Sequence, residues 1–327
     1  MRRAFRTVRT VDRHTGRVSL LHVRVHCPPD LTRSVLRTLG ECAGAVHLTR
    51  DEGGGERPDG DVVRCDLVRQ QADEVLDRLR ALGLGQRGAV VVAPVEAVLS
   101  RWAERAEEEA GYGKADAVVW DGLESNAETL AELSRTYLAF MAIAMMIAVC
   151  GIELDNPILI VGSMVVGPDY GPLAALAVAL PLLRWRLALR ALWTLVAGFA
   201  LGILVAAVFG LVMRALGLFH VDSLSEPHPN TAFIWHPDAF SFVVSWLGGA
   251  ALALSLTSAQ FSSLIGVVIS VTTIPAAGAV ALNLDLSSYS AGSGATWQLL
   301  INLGGIALAA TLVLGALRVE SLWHRRR

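Results

Sequence analysis

From Tyr137 to Ala316 the chain is dominated by apolar runs of bilayer-spanning length, and no other feature restricts its fold so severely. About 20 helical residues cross a hydrocarbon layer of roughly 30 Å. Lipid cannot satisfy backbone N–H and C=O groups, so such runs must fold as helices that satisfy their own. Six spans are read, at 134–152, 157–183, 191–216, 239–256, 263–283 and 297–317. The composition fits a polytopic membrane protein, since 53% of the residues are hydrophobic while charge is crowded into the first third and the last few positions.

Orientation follows from arginine. The loop after the second span carries Arg184, Arg186 and Arg190, and the tail carries Arg318, Arg325, Arg326 and Arg327, which places both on the cytoplasmic side. The alternating loops, 151–156, 217–238 and 284–296, lack Lys and Arg and hold Glu153, Asp155, Asp222, Glu226, Asp238 and Asp285, so they face outward. Both termini are then cytoplasmic. Trp185, Trp193, Trp235, Trp297 and Trp323 fall near predicted interfaces, where indole rings prefer to sit. The basic start is followed by no apolar signal core, so the first span is expected to direct insertion. Nothing in the pattern indicates nucleic-acid binding. Cys27, Cys42, Cys65 and Cys150 show no paired spacing and read as buried thiols rather than disulfides or metal ligands.

The first third has a different period. A basic tail, 1–17, precedes a strand over 18–26, then Pro28-Pro29-Asp30 opens a helix with Leu31, Val35, Leu36 and Leu39 on one face. Strand residues at 46–49 and 61–68 flank a Gly-rich loop, 52–60, which predicts a hairpin with a long tip. A second helix has Ala72, Val75, Leu76 and Leu79 in phase, and Gly88 to Val95 supplies a last strand. The βαββαβ order over 18–99 suits an N-terminal α+β ferredoxin-like cytosolic domain. Residues 100–133 read as a solvated linker, then an amphipathic coupling helix with Leu123, Ala127, Leu130 and Leu133 spaced to lie along the membrane or lead into the first span of the membrane domain, 134–317. The basic tail 318–327 closes the chain.

Two spans are interrupted by Gly and Pro, at Gly167-Pro168-Asp169-Tyr170-Gly171-Pro172 and at Thr272-Thr273-Ile274-Pro275-Ala276-Ala277-Gly278. Proline inside a helix removes a donor and clashes one turn back, leaving polar groups that protein, water or a solute must satisfy. The breaks fall in the second span of each half, as an inverted 3+3 repeat would arrange them. Asp169 sits in the first break. It reads either as a cation or proton site supported by Ser163, Tyr170, Ser270, Thr272 and Thr273, or as a cap on the second half-helix, with Gly171 and Pro172 opening it. A half-helix N-terminus is also where an anion would dock.

The outward loop groups His220, Asp222, Glu226, His228, His236 and Asp238 in a spacing that matches no zinc site, and an acidic surface that concentrates cations is the better reading. Asn283 and Asn302 are expected to hydrogen-bond across helices. There is no Walker loop, GxSxG or HExxH, so neither an enzyme nor a cofactor is indicated.

Gly162-Ser163-Met164-Val165-Val166-Gly167-Pro168 with Gly171-Pro172 resembles the Gly-Ala-Met, Pro, Gly-Pro signature of the bacterial domain-of-unknown-function 389 membrane proteins. Leu264 to Pro275 resembles their second signature. Asp169-Tyr170 stand in place of an apolar pair and Ala276 in place of a second Pro. The resemblance implies a membrane domain over about Leu133 to Leu314 and a preceding ferredoxin-like region, but no reaction, since the family has no established activity. The combined expectation is a homo-oligomeric protein of the bacterial inner membrane, touching lipid and a small solute or ion. It would be a secondary transporter or channel whose site includes Gly167 and Pro168. The competing reading is a non-transporting sensor or scaffold whose soluble domain binds a small molecule or partner.

Overall fold

The computed structural model describes residues 20–95, 98, 100–109, 120–219, 230, 231, 234, 238–257, 273–283 and 289–325. The chain divides into two units, Met1–Val119 and Trp120–Arg327.

The first unit contains β1 (Leu20–Cys27), α1 (Pro29–Gly40), β2 (Ala45–Glu56), β3 (Asp59–Val68), α2 (Ala72–Ala81), the single turn α3 (Leu84–Arg87), β4 (Ala89–Pro94) and α4 (Arg101–Glu109). The strands form one antiparallel sheet in the order β2-β3-β1-β4. Alternation along β1 and β3 turns Val23, Val25, Val63, Cys65 and Leu67 inward, against Val35 and Leu39 of α1 and Val75 and Leu79 of α2. Each such side chain contributes about 1.5–3 kcal/mol relative to exposure. Burial pushes the Cys65 thiol up to about 12 and raises those of Cys27 and Cys42, so they stay protonated, as small apolar core groups do.

Two expectations need correction here. The Gly-rich run is strand rather than loop: β2 continues to Glu56 and only Arg57 and Pro58 turn the chain. Asp61 is the cause. Its buried carboxylate accepts from Thr32 Oγ1 (2.7 Å), Gly53 N (2.9 Å) and Arg50 Nη2 (2.9 Å), tying the glycines to the ladder across a bulge. The stretch after the sheet is not all solvated linker either, because Ala103 and Ala106 of α4 are buried against Leu20 and Val68.

The Thr32 hydroxyl, the Gly53 N–H and the Arg50 guanidinium hold the Asp61 carboxyl below its ordinary value of 3.8. A depressed folded pKa stabilises above the unfolded value, and that stabilisation is lost as pH falls through the folded one. We expect amide-exchange protection across β2 and β3 in the full chain to exceed that of Asp61→Asn at pH 6. The difference should shrink once pH drops below about 3.8, and an unchanged difference at pH 3 would refute this linkage.

The second unit holds α5 (Trp120–Leu130), α6 (Arg135–Glu153), α7 (Pro157–Val166), α8 (Tyr170–Ala179), α9 (Trp185–Ala215), α10 (Ala239–Thr257), α11 (Thr273–Asn283) and α12 (Tyr289–Arg325). Among the described residues, four helices are long and apolar enough to cross a membrane, and five if the bent pair α7 and α8 counts as one span. Of the fifth predicted span only α11 is described. Helices overrun the apolar segments that announce them. Thus α9 starts at Trp185, putting Arg186 and Arg190 on the helix, and α12 runs from Tyr289 to Arg325, taking in most of the expected loop and tail. Hydropathy locates the lipid-facing stretch, whereas backbone hydrogen bonding continues past it.

The coupling helix is also corrected. Trp120, Leu123 and Ala127 of α5 are buried, α5 packs against α8, and residues 131–134 separate it from α6. Glu124 pairs with Arg184, and the Arg318 guanidinium lies over the Trp120 ring at 5.4 Å. Protein rather than lipid covers the apolar face of this helix.

Glycine sets how closely the long helices approach. A Cβ at Gly198 or Gly202 of α9 would stand 2.4 Å from Tyr137 Oη or 2.5 Å from Met145 Sδ of α6. One at Gly249 of α10 would stand 2.3 Å from the Ile306 carbonyl of α12. Small residues let membrane helices pack backbone to backbone.

Candidate functional site

The break between α7 and α8 is written in its residues. Asn156 Oδ1 caps α7 by accepting from Ile158 N (2.9 Å) and Leu159 N (3.3 Å), with Pro157 at the first helical position. The helix stops before Pro168 because a residue preceding proline is driven to extended backbone, and Gly167 has φ −67° and ψ 124°. Pro172 then falls in the first turn of α8, where no N–H is needed. The two pieces meet at 54°.

Asp169 lies at this corner with no exposure to solvent. Its side chain does not cap α8, which removes the capping alternative. Instead its carboxylate accepts a hydrogen bond from the Thr273 hydroxyl, 104 positions along the chain and also fully buried. The two Gly- and Pro-bearing stretches therefore meet at this bond. Asp169 also stands at the N-terminal end of α8, where the helix dipole favours negative charge.

The other expected residues divide. Tyr170 is half-buried and shares a side-chain hydrogen bond with Ser255 of α10. Gly171 approaches α5 closely, since a Cβ there would be 3.3 Å from the Leu130 carbonyl. Pro172 and Pro275 are buried, and Gly167 and Pro168 half-buried. Ser163 is buried, but its hydroxyl donates to Ile160 O within its own helix (2.6 Å) rather than to Asp169. Ser270 and Thr272 lie outside the described residues, as do His220, Asp222, Glu226, His228 and His236 of the outward loop. Asn302 is fully buried, whereas Asn283 donates to Ala279 O of its own helix (2.7 Å) instead of across helices.

Two buried polar residues, the first of them near the site, were missed by sequence. Tyr137, in the first turn of α6, is 9% exposed, lies within electrostatic reach of Asp169, and its hydroxyl has no hydrogen-bond partner among the described residues. Thr194 of α9 is buried and donates to Ala131 O (2.8 Å), fastening α9 to the segment before α6. The only signal was their polarity within apolar runs. Both α8 and α11 are buried along almost their whole length, as inner elements of a bundle are. An open apolar groove of about 870 Å³ lies toward the other end of α8, lined by Leu180, Trp185, Thr311, Gly315 and Trp323, and does not include Asp169.

Chemically, a buried carboxylate beside a hydroxyl donor can take up a proton or hold a small cation. Among the described residues no three His, Cys, Asp or Glu side chains are grouped to bind a metal. A family model described as a domain of unknown function, DUF389, matches residues 164–308. Over those residues the chain is similar to that family, and the matched stretch runs from the end of α7 into α12, so it contains Asp169, Thr273 and Pro275 and leaves out Ser163 and Tyr137. The chain is also similar to an uncharacterized protein of Methanocaldococcus jannaschii, 24% identical over 247 residues, which is 76% of this chain and 73% of that protein. No solved structure matches it.

Proposed function

We propose that the DUF389 unit is a secondary transporter or channel for a small cation or proton, with Asp169 as the charged group and Thr273 as its partner across the two halves. The hydrogen bond between them carries this reading, because it joins the two Pro-interrupted stretches at a buried carboxylate. Burying that charge at membrane depth costs a few kcal/mol, and residues retained at such cost commonly line ion or proton paths.

The proposed topology has six spans in an inverted 3+3 repeat, with both termini cytoplasmic in a bacterial inner membrane. Two groups of contacts support it. Arg184 and Arg318, expected on the cytoplasmic side, both reach α5. Asp155 and the loop around Asn230, expected outside, bond to each other through Asn230 Nδ2 (2.9 Å) and Thr231 Oγ1 (2.7 Å). Glycine seams between α6 and α9 and between α10 and α12 occupy equivalent places in the halves. The sheet order β2-β3-β1-β4 supports a ferredoxin-like soluble domain with a regulatory or oligomerising role.

The second reading, a non-transporting scaffold, is favoured by the complete burial of Asp169 and Thr273. Charge movement across proteoliposomes under imposed proton, sodium and anion gradients separates the two. Transport requires currents that depend on Asp169. Silence under every gradient, combined with failure of a cysteine at position 163 or 273 to react with water-soluble reagents, would leave the scaffold.

A further inference from the structure

The soluble unit presents a polar chain that transport does not use. On the sheet face opposite α1 and α2, His47 Nδ1 lies 2.7 Å from Asp66 Oδ2, and His47 Nε2 lies 2.7 Å from Ser100 Oγ. His22 Nδ1 holds the other carboxylate oxygen, Asp66 Oδ1, at 2.8 Å. A carboxylate only accepts, so in neutral His47 the proton sits on Nδ1 and the Nε2 lone pair accepts from the Ser100 hydroxyl. That is the tautomer a general base toward serine requires. Accessibility follows the same order, with Asp66 17% exposed and His47 36%.

Two backbone features aim the imidazole. β2 slips register between Val46 and Thr49, and a bulge there redirects a side chain. His47 itself has φ 53°, a left-handed conformation that a non-glycine residue adopts at a cost of order 1–3 kcal/mol and that clusters at functional sites. Ser100 enters from outside the sheet, held because α4 packs Ala103 and Ala106 over Leu20 and Val68. It also accepts, at 3.5 Å, from Ala103 N, so it stands at the N-terminus of α4, whose first-turn N–H groups lack intrahelical partners and can face developing negative charge.

We propose that Ser100, His47 and Asp66 form an acyl-transfer site that hydrolyses a carboxylic ester bearing a negative charge. The charge preference comes from Arg24 and Arg64, directly opposite one another on β1 and β3, two residues from the His22 and Asp66 pair and so about 7 Å along the strands. Like charges facing across a ladder repel, and an anion between them relieves the repulsion. Arg24 makes no ion pair among the described residues, and Arg64 reaches only Asp51, at 3.7 Å. In the reaction Ser100 Oγ attacks the ester carbonyl carbon while its proton passes to His47 Nε2. The tetrahedral adduct collapses, the ester C–O bond breaks, and the departing alkoxide takes that proton. Water then attacks the acyl-serine by the same route, releasing the acid and restoring Ser100. His22 positions Asp66.

The test uses the full-length protein in detergent and a fluorophosphonate probe, with the adduct located by peptide mass spectrometry. Ser100 should be labelled, and Asp66→Asn, which keeps the shape but favours the wrong tautomer, should slow labelling by at least about 10³-fold. A 4-nitrophenyl ester carrying a free carboxylate should be hydrolysed faster than 4-nitrophenyl acetate, and Arg24→Gln should erase that preference. Absence of a Ser100 adduct, or an adduct formed equally fast in Asp66→Asn, overturns the site. Equal rates on the two esters overturn the substrate class.

Discussion

Asp169→Asn should lower charge movement by about 10- to 100-fold while leaving the melting temperature of the membrane unit unchanged or raised. Asparagine has the shape of aspartate and keeps an oxygen that can accept from Thr273, so the link between the two halves survives. What disappears is the negative charge and the capacity to bind a proton. An interaction with a charged group contributes about 1.5–3 kcal/mol, which at 1.4 kcal/mol per decade corresponds to that fall in rate. Stability moves the other way because a buried carboxylate is costly to desolvate and a buried amide is less so. Thr273→Val sharpens the test. It removes the donor and leaves the carboxylate with one hydrogen bond fewer, at a cost of about 1–3 kcal/mol, whereas Thr273→Ser should behave as the parent. A scaffold would show the same stability pattern with no charge movement in any variant, so the electrical measurement decides.

Gly249→Ala should destabilise the membrane unit by about 1–3 kcal/mol, while Gly248→Ala, one residue away, should be neutral or stabilising by up to about 1 kcal/mol. At Gly249 the added carbon would lie 2.3 Å from the Ile306 carbonyl oxygen and 2.9 Å from Ala309 Cβ, so α10 and α12 themselves must separate. At Gly248 nothing lies within 4 Å, and alanine gains helix propensity without a clash. Gly202→Ala should fall between, because its nearest neighbour is the flexible Met145 thioether rather than backbone. Thermal melting of detergent-solubilised protein followed by size exclusion reads the order directly. Equal melting temperatures for Gly248→Ala and Gly249→Ala would mean that this contact does not limit the packing of α10 on α12.

The break at Gly167 to Pro172 was readable because its cause is local: glycine before proline forces extended backbone, and proline three residues into α8 fits only a first turn. The faces of α1 and α2 were readable for a similar reason, since period alone marks Val35, Leu39, Val75 and Leu79 as core. The Gly-rich run misled because glycine's local preference for turns over strands was overridden by a non-local contact, Asp61 to Gly53, which crosses to the next strand. α5 misled because an amphipathic helix is written identically whether lipid or protein covers its apolar face. No contiguous signature marks the polar chain on the open face of the sheet either. His47, Asp66 and Ser100 are far apart in the chain and come together through a bulge and a helix packed on the open face of the sheet.

By itself the sequence therefore determined where long apolar helices lie, where one of them bends, and that a carboxylate stands at the bend, because these depend on apolar period, proline stereochemistry and charge within a few residues of one another. Only the tertiary structure decided what that carboxylate bonds to, which glycines bring helices into backbone contact, and which histidine faces which serine. Those are properties of surfaces brought together from distant parts of the chain, and no local pattern encodes the register in which two surfaces meet.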